Sequence, residues 1–284
     1  MKHILIPTDF SNNAMNAIRY ALELFKYEKA HFYILHTYQD EVYNAIELLE
    51  SHDFETVVST HEKTCNVKLQ QVLKTLEKAY PNPRHQYAVM SAYNSLVDEI
   101  DLLTEGKNMD LIIMGTKGIT NDKSLTFGSN TVKVMRYVSC PVLSIPEGYE
   151  YTQPKKVLFP TNYMLPYTRR ELKLLKEMTV PYRSVIDMLY ISKSEHLSRR
   201  QEDNKEFLTL ELADLQVHFK TEAHTNIING IFSYVKKQHI DLLVMVNTRH
   251  SFLEHLLFQS TVDEMSLNLD IPFLAMQNIK RNNT

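Results

Sequence analysis

Residues 2–9 read KHILIPTD, and residues 155–162 read KKVLFPTN. Two further pairs keep the same order: DLIIM at 110–114 with DLLVM at 241–245, and CPVLSI at 140–145 with IPFLAM at 271–276. Self-similarity on this scale is the mark of a domain duplication rather than a solenoid. The first copy is longer, and its extra stretch falls just after its second strand, around Glu41 to Thr64. Ile4 to Ile6 is a short unbroken apolar run, as expected of a strand buried on both faces. Ser11 and Asn12 then offer a helix N-cap. Ala14, Ala17, Ile18, Ala21, Leu22 and Phe25 follow at the spacing of one helical face.

The alternation continues along the first copy. Strands are expected at Phe32 to His36, Tyr87 to Met90, Leu111 to Met114 and Val142 to Ile145. Helices are expected at Cys65 to Tyr80, Leu96 to Glu105 and Asn130 to Tyr137. The second copy repeats the strands at Val157 to Phe159, Asp187 to Ile191, His218 to Thr221, Leu242 to Val246 and Phe273 to Met276. Strands alternating with helices mean parallel βαβ units. The expected fold is therefore α/β, two tandem doubly wound domains of five parallel strands, 1–148 and 155–279. Gly148 and Pro154 lie at the join.

Length and composition agree with two soluble cores. The chain has 284 residues, of which 44% are hydrophobic and 23% charged. Its 31 basic and 34 acidic side chains leave a net charge of -3, with no basic surplus to neutralise a nucleic-acid backbone. The apolar run at the N-terminus is too short for a signal peptide, and no stretch approaches the roughly 18–20 apolar residues of a membrane helix. Two cysteines, Cys65 and Cys140, fit a reducing compartment and point to the cytoplasm. Both read as small packed residues, since no base signature marks either as a nucleophile. The extra stretch carries Val42, Ile46, Leu48, Leu49, Phe54, Val57 and Val58, which suit a lid over a ligand and a plain packing helix equally well.

In a doubly wound sheet, ligands bind beyond the carboxyl ends of the strands, where the strand order reverses. Two segments of the first copy sit at such ends. One is Pro7-Thr8-Asp9 after the first strand. The other follows the fourth: Met114, Gly115, Thr116, Lys117 and Gly118, then Gly128, Ser129, Asn130 and Thr131. Three of the chain's 6 glycines fall in this second segment. Glycine permits positive φ and lets a backbone approach a ligand closely. Gly128 to Thr131 also opens a helix, whose free N–H groups and dipole favour an anion. The hydroxyls of Ser129 and Thr131 are candidate donors to phosphate oxygens. The pattern is neither a Walker A loop nor a GxGxxG after the first strand.

Asp9 followed by GxxGx9GSN at Gly115, Gly118, Gly128, Ser129 and Asn130 resembles the ATP-binding class of universal stress protein domains. The resemblance spans both repeats, as in the tandem members of that family, and implies an adenine nucleotide α-hydrolase-like, Rossmann-like fold. It also implies Pro7, Thr8 and Asp9 near adenosine, with Asp9 accepting from a ribose hydroxyl and the Thr37 backbone beside adenine. Gly115, Gly118, Gly128, Ser129 and Asn130 would wrap the triphosphate of ATP, with Mg2+ as its companion cation. Lys117 would either reach a phosphate or stand as a solvated turn residue. The family pairs through its last strand, which here implies internal pairing of the two repeats, with a homodimer as a further arrangement.

The second repeat departs from the pattern. Asn162 stands where Asp9 does, and Asn247, His250 and Gln259 take the places of Gly115, Gly118 and Gly128. Nucleotide binding is expected in the first repeat alone. His250 with Glu254 and His255 has the wrong spacing for a zinc peptidase, since i and i+5 do not share a helical face. The implied function is a nucleotide-dependent stress sensor or regulator. A slow ATP-hydrolysing or nucleotidyl-transfer enzyme, and a structural module with vestigial sites, are the competing readings.

Overall fold

The computed structural model describes residues 1–48, 54–116, 127–165, 167–192, 196–247 and 269–277. The chain divides into two compact units, Met1–Asn121 with Gly128–Val142, and Asp122–Phe127 with Leu143–Thr284.

The first unit runs β1 (Lys2–Pro7), α1 (Asn12–Leu24), β2 (Ala30–Thr37), α2 (Gln39–Leu48), α3 (Phe54–Ala79), β3 (His85–Ala92), α4 (Leu96–Lys107), β4 (Leu111–Gly115) and α5 (Ser129–Tyr137). Its strands lie in the order β3-β2-β1-β4. Leu5 of β1 is opposite Tyr33 of β2 on one side and Ile112 of β4 on the other, and both pairings are parallel. Ile4, Leu5 and Ile6 are fully buried, which is why β1 shows no polar–apolar alternation. Ser11 caps α1, its hydroxyl accepting from the Ala14 amide at 3.1 Å. Ala14, Ala17, Ile18, Ala21 and Leu22 are buried, the face that the spacing predicts.

One boundary differs from expectation by more than two residues. The helix expected from Cys65 begins at Phe54 and runs for 26 residues. Its first turns are rich in β-branched residues, which disfavour helix when read locally. Burial of Val57, Cys65, Leu69 and Leu76 on one side sets the outcome. The Thr60 and Thr64 hydroxyls donate to the carbonyls of Thr56 and Thr60. Tyr38, Val42, Val57 and Cys65 form a small core of their own, with Ala45, Val58 and Tyr93 against it. The described part of the extra stretch is thus packed as a helix pair.

The second unit continues with β5 (Val142–Ile145), of which residues 143–145 belong here, then β6 (Lys156–Pro160), α6 (Arg169–Thr179), a 3-10 turn (Val180–Tyr182), β7 (Val185–Ile191), α7 (Arg199–Glu211), β8 (Gln216–Glu222), α8 (Ile227–Gln238), β9 (Leu242–Asn247) and β10 (Phe273–Gln277). The order is β5-β10-β9-β6-β7-β8. Val157 of β6 is opposite both Ile186 and Leu242, again in parallel. The α/β class with parallel strands is therefore as the sequence implies. Among the described residues, no helix is long and apolar enough to cross a membrane.

A buried carboxyl at the start of α6 yields the first prediction. The Thr168 amide donates to Glu171 Oε2 at 3.0 Å, yet Glu171 is only 5% exposed. Burial raises its pKa from 4.5 to about 7, against the opposing effect of the Thr168 hydrogen bonds. The folded state therefore holds a proton that the unfolded chain has released. Stability falls as pH rises from 4.5 to about 7 and is flat above that. Glu171→Gln keeps the acceptor and removes the titration. Its melting temperature relative to wild type should rise across that interval; parallel melting profiles for the two proteins would refute the assignment.

Candidate functional site

The chain leaves β1 through a turn organised by Thr8. Its amide donates to the Leu35 carbonyl at 2.8 Å, prolonging the β1–β2 ladder by one residue. Its hydroxyl accepts from the Phe10 amide at 3.0 Å, and its carbonyl accepts from His36 Nδ1 at 2.7 Å. Asp9 Oδ1 accepts from the Ser11 amide at 3.0 Å. Phe10 takes φ 61°, a left-handed conformation uncommon for an aromatic residue. Its ring lies 4.5 Å from that of His36, and the Lys68 ammonium sits 5.3 Å from its centroid. Pro7 and Thr8 are buried, while Asp9 and Thr37 are half-buried. Continuing the β1–β2 register places Thr37 two residues beyond Leu35, the partner of Pro7.

The end of β4 lies on the other side of β1. Met114, Gly115 and Thr116 are buried, Gly128 is half-buried, and Ser129 and Asn130 are exposed at the opening of α5. The Gly128 amide donates to the Thr116 carbonyl at 2.7 Å. The first return bond of α5 runs from the Val132 amide to the Gly128 carbonyl at 3.1 Å. Ahead of it stand the amides of Ser129, Asn130 and Thr131, which have no helical turn before them to supply acceptors. The strand order reverses between β1 and β4, so Pro7–Asp9 and Gly115–Thr131 flank the crevice where ligands enter such sheets. Gly118, together with Lys117, lies outside the described residues.

Three sequence expectations change here. Gly128 has φ −67° and ψ 158°, and Gly115 is a strand residue, so neither uses the positive φ that glycine permits. A Cβ on Gly115 would come within 2.6 Å of Asn13 Nδ2 and 2.8 Å of Asn13 Cγ. A side chain there would force the Asn13 side chain of α1 to shift. Thr131 is 2% exposed, and its hydroxyl donates to the carbonyls of Gly115 at 2.9 Å and Thr116 at 3.2 Å. That hydroxyl braces β4 against α5.

A family model described as the universal stress protein family matches residues 1–146. The chain belongs to the universal stress protein family. It is 27% identical over 144 residues, 51% of this chain and 81% of the relative, to a universal stress protein of Methanocaldococcus jannaschii. The crystal structure of a universal stress protein from Archaeoglobus fulgidus aligns with TM-score 0.69 at 16% identity, over 97% of this chain and 96% of that one. The crystal structure of a functionally unknown protein from Pseudomonas aeruginosa aligns with TM-score 0.58 at 15% identity, over 98% and 92%. Both show a shared fold.

The second unit of this universal stress protein chain repeats the turn with different anchors. The Thr161 amide donates to the Leu189 carbonyl at 2.9 Å. The Thr161 hydroxyl accepts from the Tyr163 amide, and Asn162 Oδ1 from the Met164 amide. Tyr163 takes φ 56°, with the Lys205 ammonium 5.9 Å from its ring. The carbonyls of Asn162 and Tyr163 are tied down by Gln201 Nε2 at 2.7 Å and Asn204 Nδ2 at 2.6 Å, both from α7. Asn247 ends β9, while His250 and Gln259, like Glu254 and His255, lie outside the described residues.

The Gly115–Asn13 approach is open to test. Gly115→Ala should destabilise the protein by roughly 1–3 kcal/mol, the usual cost of an added carbon in a close-packed interior. Asn13→Ala removes the atoms it meets, so the double variant should melt above the sum of the two single losses. Strict additivity in thermal melting would show that the two residues do not meet.

Proposed function

We propose that this chain binds one ATP in its first repeat, accompanied by Mg2+, and acts as a nucleotide-dependent stress sensor or regulator. The observation that carries the reading is the convergence of two loops on one strand-order reversal. Pro7, Thr8 and Asp9 stand on one side, and Gly115, Thr116 and the open first turn of α5 on the other. Asp9, Gly115, Gly118, Gly128, Ser129 and Asn130 have the order and spacing that mark the ATP-binding class of this family.

The residues present suit such a ligand. Gly128 is half-buried and bears no side chain where α5 begins, so a phosphate can reach the amides of Ser129, Asn130 and Thr131. The exposed Ser129 hydroxyl is a further donor. Asp9 would accept from a ribose hydroxyl, and the Thr37 backbone, at the end of β2, would lie beside adenine. With Asp9 assigned to the sugar, Mg2+ would be held chiefly by the phosphates themselves. In the second repeat the side chains of Gln201 and Asn204 occupy loop carbonyls, which supports one site per chain. Pairing of the two repeats through their last strands belongs to the same reading.

Calorimetric titration should give one ATP per chain, recovered intact after incubation. Asp9→Ala should weaken affinity by about one to two orders of magnitude, the worth of one hydrogen bond to a charged group. Gly128→Val should abolish binding by filling the approach to α5. Because Gly128 already has φ −67°, valine fits that backbone, and thermal melting should change by no more than about 1 kcal/mol for the altered cap. Wild-type affinity in Gly128→Val, or two equivalent sites, would sink the assignment. Steady release of ADP or AMP would favour an enzyme, and absence of affinity a structural module.

A further inference from the structure

Beside the first loop, the end of β2 and the helices α2 and α3 bring together three side chains of metal-binding type. His36, Glu41 and Cys65 each offer one ligand atom, all within 4.8 Å of one another. His36 and Cys65 are 3% and 2% exposed. Glu41 closes the cluster from the solvent side, with 45% of its side chain exposed.

The partner of one ring nitrogen fixes the role of the other. His36 Nδ1 lies 2.7 Å from the Thr8 carbonyl. A carbonyl oxygen only accepts, so Nδ1 carries the hydrogen, and Nε2 of the neutral ring presents its lone pair. Nε2 is buried without a hydrogen-bond partner. Glu41 Oε1 is 3.1 Å away, within ion-pair range, but it lies off the line that a hydrogen bond requires. Three electron-pair donors therefore lie close together: a buried imidazole nitrogen, a carboxylate and a sulfur. An imidazole whose second nitrogen is held by a backbone carbonyl is oriented as metal-binding histidines are.

We propose that His36 Nε2, the Glu41 carboxylate and the Cys65 sulfur bind one thiophilic divalent cation of the zinc type, with a fourth position left for water. Nitrogen, oxygen and thiolate sulfur together suit a tetrahedral ion of this class. Bonds of about 2.0–2.3 Å place tetrahedral ligand atoms roughly 3.3–3.8 Å apart, so the cluster needs to contract by no more than about an ångström and a half. On binding, the thiol proton leaves to solvent and the sulfur lone pair forms the metal bond. One divalent ion enters and one proton departs.

Without the ion, burial and the Glu41 carboxylate push the Cys65 thiol up to about 11, against a smaller opposing effect of Lys68. Cys65 is then a protonated packing residue. With the ion, three elements are tied together: the end of β2, α2 through Glu41 and α3 through Cys65. The Thr8 carbonyl couples that junction to the turn holding Asp9. No local motif advertises the site, because its ligands come from a strand and from the two helices that follow it.

The test is titration of the metal-free full chain with Co2+ and then Zn2+, with no nucleotide present, so its result is separate from ATP binding. One equivalent of Co2+ should give a near-ultraviolet thiolate-to-cobalt charge-transfer band with intense visible bands, and Zn2+ should bleach both. Cys65→Ser should lose the charge-transfer band. Cys140→Ser should keep it, since that thiol lies against the Met109 carbonyl. Glu41→Gln, an exposed change that leaves packing intact, should weaken Zn2+ affinity by at least about tenfold. It carries the test if Cys65→Ser fails to fold. A folded wild type that takes up neither ion overturns the site, as does a band that survives Cys65→Ser or disappears in Cys140→Ser. Undiminished Zn2+ affinity in Glu41→Gln overturns it equally.

Discussion

Because β1 is paired on both edges, with Leu5 opposite Tyr33 in β2 and Ile112 in β4, the chain that leaves Pro7 has one place to go. It emerges between two neighbouring strand ends that point the same way. The connection through α1 leads outward to β2 and β3, and β4 takes the other side. In a parallel sheet the backbone dipoles and helix starts collect at the same edge. The reversal at β1 spreads the flanking connections apart there. That pairing is the constraint from which the site's placement follows, since the register fixes which residues of β2 and β4 stand beside Pro7 at the strand ends.

Thr8 converts this strand end into a defined turn. Its amide, hydroxyl and carbonyl are each committed, to Leu35, Phe10 and His36 respectively. The turn holds Phe10 in a left-handed conformation that costs about 1 kcal/mol or more, offset by the contacts of its ring with the tilted His36 ring and the Lys68 ammonium. Thr161 and Tyr163 reproduce the geometry with Tyr190 and Lys205 as neighbours. The same backbone solution thus survives a change of anchoring chemistry. An imidazole from β2 holds the first turn, while two amide side chains from α7 hold the second. The turn survives this change because it depends on threonine rather than on what surrounds it.

What could be read from the sequence was what has a single local cause. Ile4 to Ile6 and Leu111 to Met114 are apolar because both faces of a parallel strand are covered, and no other element leaves so short an unbroken run between polar turns. The start of α3 was hidden for the opposite reason. Its β-branched first turns argue against helix locally, and only the packing of Val57 near Tyr38 and Val42 decides the matter. The order of Asp9, Gly115, Gly118, Gly128, Ser129 and Asn130 located the loops of the candidate site. Side-chain direction was not legible: nothing in the letter Thr at 131 tells whether its hydroxyl faces a ligand or the carbonyls of its own strand. Nor could spacing reveal that Asn13, far off in sequence, sets the need for glycine at 115.

These reassignments sharpen what the glycine-rich segment is for. Gly115 makes room for Asn13, and Thr131 fastens the end of β4 to the first turn of α5. Both act on the placement of the helix rather than on a ligand. What they hold in position is a set of backbone amides at Ser129, Asn130 and Thr131, approached past a residue without a side chain. Backbone donors look the same whatever residue carries them, so selection for an anion site acts on the positions that keep the amides aimed and uncovered. The marks in the sequence are then mostly those of the scaffold. The second repeat keeps the same threonine turn, with Thr161 and Tyr163 in the places of Thr8 and Phe10 and Asn247 in that of Gly115.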